Sequence, residues 1–412
     1  MVLAENLSHA DLKALLHAHG DSLYLLDSDA YRRNIREYFT LFKARYGRIG
    51  LGHSYKTNYI PQFCRAAYEE GAYAEVVSRM EFDMALRFGA DSNRIIVNGP
   101  VKDDALLRDA LLAGCILNVD SLGEANRALA IADAHPERRF EIGIRLNLPL
   151  EGRARSRFGI DVESDGLREL IVAMRARRNL AIAGIHCHIG GDRSAASYAD
   201  RTQRMIDAAR WIFPESPPRY IDIGGGLAGR MPKELEAQLG YSVPTMADYA
   251  DAIAATFSRE FDPATGPELI VEPGMGILSD VLWFACEVAS VKRIGQQRHA
   301  VITGSIYNVK PTLNKFDLPF TVLRAPGVPR EEGEWAVSGY TCMEIDVVHK
   351  AWHGSLAEGD ILLFGNVGAY TVVLKPPFIK AAPAIVELLP DGTERLVKAA
   401  ETLDDVLGPY RW

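Results

Sequence analysis

The sequence predicts an α/β protein: a (β/α)8 barrel joined to a second, mainly β domain. Three observations carry that prediction. The chain has 412 residues, long for one ordinary domain. From about Asp27 to Pro273, short apolar runs alternate with longer helical patterns. After Ser279 the helical periodicity almost vanishes, and strand-like runs separated by Gly, Pro and charged turns take over.

Strand-like runs fall at 50–54, 74–77, 94–97, 116–119, 141–146, 182–188, 220–223 and 268–271. Between them lie amphipathic stretches at 61–71, 79–88, 103–113, 121–134, 166–177, 198–213 and 246–261. Eight strands in about 250 residues suit a closed parallel barrel. The alternation by itself also admits a doubly wound sheet. Later runs at 283–291, 299–303, 335–339, 360–364, 371–374 and 384–389 read as the β-barrel or β-sandwich domain, with 22–26 as an added strand. The expected division is 28–278 for the barrel, and 1–27 with 279–412 for the β domain.

Hydrophobic residues make up 48% of the chain and charged residues 24%, ordinary for a globular protein. The net charge of −8 argues against a nucleic-acid footprint, which would be basic. The five cysteines are scattered without a C-x-x-C pair, which fits reduced thiols and a cytoplasmic location better than a disulfide framework. No apolar run is long enough to span a membrane, and the N-terminal twenty residues do not resemble a signal peptide.

In a barrel, chemistry belongs at the C-terminal ends of the strands. The first strand runs into His53-Ser54-Tyr55-Lys56. Position alone leaves Lys56 open between a solvated side chain and an imine-forming amine. His186-Cys187-His188 ends another strand. The two imidazoles suit a packed pair or an aromatic platform, and with no third ligand at useful spacing, no metal is expected. Gly224-Gly225-Gly226 formally begins G-x-G-x-x-G, but Met231-Pro232 follow where a helix should open. What remains is a turn whose backbone can approach an anion closely. Glu272-Pro273-Gly274-Met275 ends the eighth strand with a carboxylate suited to a barrel arginine or to a pyridinium nitrogen. Cys342 lies among polar turn residues, and Tyr370 closes a Gly-Ala-Tyr turn.

Taken in order, these motifs resemble the pyridoxal-phosphate decarboxylases of the alanine-racemase-like fold, which act on diaminopimelate, ornithine and arginine. Further matches are Val77-Ser78 with Glu81, Asn98-Gly99 with Lys102, Asp120-Ser121 with Glu124, and Ser156-Arg157-Phe158-Gly159. The resemblance covers nearly the whole chain and decides for the barrel over the doubly wound sheet. It implies pyridoxal 5'-phosphate as cofactor, Lys56 as its Schiff-base lysine and His188 stacked on its ring. It also implies Glu272 on the ring nitrogen, and Gly224, Gly225, Gly226, Gly274, Met275 and Tyr370 around the phosphate. Cys342 would act from the second subunit of a homodimer as proton donor. An amino-acid substrate follows, with neither nucleic acid nor membrane as partner.

Two departures bear on the substrate. The family usually has arginine where Met275 stands, and an acidic residue where Met343 follows the cysteine. A distal ammonium buried without a carboxylate is costly, unless Glu344 or Asp346 takes that place. The expectation is therefore a distal-N-acylated substrate, such as an N-citryl diamino acid of siderophore assembly, with Lys310, Arg153 or Arg155 meeting its anionic groups. The alternative is an ordinary diaminopimelate, ornithine or lysine decarboxylase. A racemase of the same fold or an inactive cofactor-binding homologue stands further off.

Overall fold

A computed structural model describes residues 4–150, 155–313, 315–374 and 377–411. The chain divides into two compact units. One comprises Arg32–Ala228 and Val243–Ile277; the other comprises Met1–Tyr31, Gly229–Ser242 and Leu278–Trp412.

The first unit is a closed barrel of eight parallel strands. They are β1 Ile49–Ser54, β2 Tyr73–Val76, β3 Ile95–Val97, β4 Ile116–Val119, β5 Phe140–Asn147, β6 Leu180–His186, β7 Tyr220–Gly225 and β8 Glu268–Glu272. Each pairs with its sequence neighbour, and β8 closes on β1. All eight expected runs are strands, with ends shifted by at most two residues. Their near-complete burial explains why they read as unbroken apolar runs: in a barrel both faces are covered.

The helices between strands start where a short polar side chain takes an orphan N–H. Ser78, Asp103, Ser121, Ser164 and Ser194 each accept from a backbone N–H in the first turn of the following helix. Glu81 and Glu124 also reach back to the N–H groups of Val77 and Asp120, fixing the strand ends as well as the helix starts. The helix expected over 246–261 is present from Met246 to Ser258, and turns to π geometry over Asp251–Ala255.

One expectation needs correction. The span 28–278 is interrupted, because Gly229–Ser242 belongs with the second unit. Gln238 exchanges two hydrogen bonds with the backbone of Asp317, and Asn366 donates to the carbonyl of Arg230. The second unit is built on a nine-stranded sheet. Ser22–Leu26 lies inside it, antiparallel to Leu282–Ile294 and parallel to Ala384–Leu388. Leu23, Leu25, Trp283, Ile361 and Val386 share its core. The run 371–374 forms no strand. The chain turns there instead, with positive φ at Asn366 and Tyr370, and Thr371 bonds back to Val367.

The barrel carries a pH liability in His53, on β1. The ring is 1% exposed, and burial pushes its pKa down from 6.5 to about 4. The unfolded chain therefore takes up this proton first as pH falls. The site contributes its full stability above pH 6.5 and loses it as pH falls toward about 4. The loss approaches roughly 3 kcal/mol. Denaturant titrations at several pH values should show this decline, and a His53→Gln chain should show a flatter slope over the same window. Equal slopes would remove His53 as the cause.

Candidate active site

The C-terminal ends of the barrel strands bring together a connected set of polar side chains. Lys56, just past β1, places its ammonium on Glu75 of β2, with Ser54 Oγ 3.5 Å away. Glu75 is fully buried. Asn98, after β3, donates to Glu75 Oε1 at 3.1 Å and to Glu272 Oε1 at 2.6 Å. Asn118 Nδ2 on β4 donates to Asn98 Oδ1 at 2.9 Å, and the Tyr220 hydroxyl on β7 donates to Asn118 Oδ1 at 2.7 Å. One hydrogen-bonded chain thus ties residues of five strands to the lysine, reaching down the barrel to Tyr220 at the start of β7.

Glu272 is 2% exposed and has two imidazoles beside it: His186 Nε2 is 3.7 Å away and His188 Nδ1 3.9 Å. Burial works to raise its pKa, and the hydrogen-bonding interaction with His188, with His186 and Lys56 behind it, overrides that and holds Glu272 below the carboxylate range. His188 Nδ1 accepts the Gly225 N–H at 3.2 Å. Asp222 is the opposite case. Burial first, and the neighbouring Glu272 second, push its carboxyl well above the usual range. Two buried carboxylates this close do not both ionise at neutral pH; Asp222 keeps the proton and Glu272 the charge. His186, Asp222 and Glu272 present donor atoms within 4.8 Å of one another, a grouping that could also hold a cation.

The glycine turn follows β7. Asp222 Oδ1 accepts the Gly224 N–H at 2.8 Å. A Cβ at Gly224 would lie 2.1 Å from the Cys187 carbonyl, and one at Gly225 2.2 Å from the Glu272 carbonyl. Gly224 and Gly226 have φ of +71° and +95°. Only glycine meets both demands. Gly274, after β8, is also left-handed, and the Thr57 hydroxyl stands 3.1 Å from where its Cβ would be.

Thr57 Oγ1, Asp222 Oδ2 and both ring nitrogens of His186 are buried without a hydrogen-bond partner. Such atoms are expensive unless something completes them. A planar aromatic group bearing a ring nitrogen and an anionic tail would do so, and the side-chain-free turn at Gly224–Gly226 lets such a tail approach the backbone closely. The residues present fit pyridoxal phosphate.

The pyridoxal-binding domain of the pyridoxal-dependent decarboxylases matches residues 32–279. The chain belongs to this family. It is a pyridoxal-phosphate-dependent amino-acid decarboxylase, as the order of its motifs predicts. Diaminopimelate decarboxylase of Methanothermobacter thermautotrophicus is 26% identical over 97% of this chain and 93% of that one. The Mycobacterium leprae diaminopimelate decarboxylase is 27% identical, covering 96% and 87%. The crystal structure of the M. jannaschii diaminopimelate decarboxylase with L-lysine superimposes with a TM-score of 0.86, at 22% identity, over 96% of this chain and 93% of that one.

Within the decarboxylase, Lys56, His188, Gly224, Gly225, Gly226, Glu272, Gly274 and Met275 lie together in the barrel unit. Cys342 and Tyr370 belong to the other unit, the former as an exposed free thiol. The proposed substrate contacts there are largely engaged. Lys310 is 5% exposed, donates to the Phe316 carbonyl at 2.7 Å and lies 3.6 Å from Asp317. Asp346 is 2% exposed and accepts from Ser305 Oγ and from the N–H groups of Ile306 and Thr341. Met343 and Glu344 are exposed. Arg155, in the barrel unit, pairs with Asp161 and Glu163, and Arg153 lies outside the described residues. The sequence reading missed Glu75 and Asp222. The signal for Glu75 was a carboxylate inside the apolar run of β2, near its C-terminal end. No helix is long and apolar enough to cross a membrane among the described residues.

Proposed function

We propose that the chain removes the α-carboxylate of a free diamino acid of the diaminopimelate class. The observation that carries this is the near full-length match to relatives named diaminopimelate decarboxylases. The same relatives give no support to the expected N-citryl substrate, and Lys310 and Arg155 lie beside carboxylates of this chain.

Lys56 tethers the cofactor, with Glu75 placed to take the Nζ proton that the amine must lose before it acts as a nucleophile. When bound, pyridoxal phosphate supplies the electron sink for the pair released as CO2 departs. Glu272, kept anionic by its surroundings at His188, His186 and Lys56 and oriented by Asn98, would pair with the ring nitrogen and favour its protonated form. His188, partly buried two residues past the end of β6 and accepting the Gly225 N–H, would provide the stacking face. The side-chain-free turn at Gly224–Gly226 would seat the phosphate close to the backbone. Cys342 of a second copy of the chain would donate a proton to the α-carbon in place of the departed carboxylate.

A CO2-release panel of meso-diaminopimelate, lysine, ornithine, arginine and their N-citryl derivatives tests the substrate. The expected result is a kcat/KM for diaminopimelate at least about tenfold above every other compound, the discrimination a few placed polar contacts supply. A preference for an N-citryl derivative would overturn the reading.

A further inference from the structure

We infer that Arg193 supplies the cation that grips the cofactor phosphate, a charge that Met275 cannot bring to the turn. This deepens the proposed reading, because it rests on Gly224–Gly226 being the phosphate seat. Arg193 lies in the loop between β6 and the helix Ala195–Ile212. That helix is fixed onto the glycine turn by two side chains: the Tyr198 hydroxyl donates to the Gly225 carbonyl at 2.9 Å, and Arg201 Nη1 donates to the same oxygen at 3.3 Å. Arg201 also holds the loop, through the Ile189 carbonyl at 2.7 Å. The Tyr249 hydroxyl donates to the Arg193 carbonyl at 2.6 Å and accepts the Ala228 N–H at 3.1 Å, pinning residue 193 beside the end of the turn.

Backbone placement is therefore fixed at several points, and the Arg193 side chain ends in direct contact with the Met275 sulfur. A thioether is a weak acceptor and a poor match for a guanidinium. Arg193 forms no ion pair with a carboxylate among the described residues, unlike Arg155, Arg177 and Arg204. Arg201 is fully buried and directs both terminal nitrogens to carbonyl oxygens. The guanidinium beside the turn that has yet to meet an anion is that of Arg193, and a phosphate offers the planar fork two oxygens at once.

Titration of the apoenzyme with pyridoxal phosphate and with pyridoxal, followed by intrinsic fluorescence, tests the assignment without reference to turnover. Arg193→Gln should weaken pyridoxal phosphate binding by about 10- to 100-fold, the range of a charge-assisted hydrogen bond. Pyridoxal binding should stay within about twofold, since it lacks the anion. Arg193→Lys should fall between, and the Arg193→Gln/Met275→Arg double variant should recover most of the affinity. A Gly225→Ala chain separates the two levels of the argument. If Gly225→Ala weakens phosphate-dependent binding and Arg193→Gln does not, the assignment of Arg193 is wrong and the seat stands. If neither variant affects it, the phosphate seat itself is misplaced. A raised KM for the amino acid with cofactor affinity unchanged would instead make Arg193 a substrate carboxylate contact and overturn the inference.

Discussion

Lys56→Ala is expected to lower kcat by about a thousandfold or more and to abolish the visible absorbance band of the holoenzyme. Among the described residues that touch Glu75, Asn98 or Glu272, Lys56 brings the primary amine that an imine requires, and the neighbouring imidazoles cannot stand in for it. The same change strands Glu75, a fully buried carboxylate, without its cation. Stability should therefore fall too, and Lys56→Ala/Glu75→Gln should regain stability without regaining CO2 release. That split separates a chemical role from a structural one. Retention of the band and of turnover in Lys56→Ala would remove the lysine from the mechanism.

Glu272→Gln is the second large effect, an expected loss of about 10²–10³ in kcat, typical of removing one preorganised charge from a dry site. Glutamine keeps an oxygen for Asn98 Nδ2 and a similar volume, so the packing at β8 survives while the charge goes. Cofactor affinity should change much less than kcat, because the phosphate contacts lie elsewhere. The variant also relieves Asp222, whose carboxyl is raised first by burial and then by the charge of Glu272. Its pKa should move back down, and the pH profile of kcat should change shape along with the drop in height. A change of less than threefold in kcat at every pH would show that the carboxylate plays no part in the chemistry.

Much of this was legible in the chain. Each barrel strand is covered on both faces, so it appears as a short apolar run, and the residues just past each run are the ones that gather in the site: Lys56, His188, Gly224–Gly226 and Glu272. What the sequence withholds is which strand ends become neighbours across the closed sheet. Asn98 and Asn118 are 20 residues apart and Glu272 lies 174 beyond Asn98, yet they share one hydrogen-bonded circuit. Charge state is equally hidden. Lys310 and Asp346 look like charges awaiting a substrate, and only the folded loop shows them bonded to Phe316, Ser305 and Ile306. The run 371–374 misled for a simpler reason: valines next to a threonine favour a strand, but positive φ at Tyr370 turns the chain first.

The second unit is assembled from three stretches of chain, the first and last of them more than 240 residues apart. No single cut can therefore release either unit whole. A polypeptide stopped at Ile277 would keep Ser22–Leu26 but lose both of its sheet neighbours, leaving Leu23 and Leu25 to face water. On the ribosome the same gap exists in time. The strand made first waits for the strand at Ala384–Leu388, which is among the last to emerge, so the interval between them is when this protein has most need of protection from aggregation.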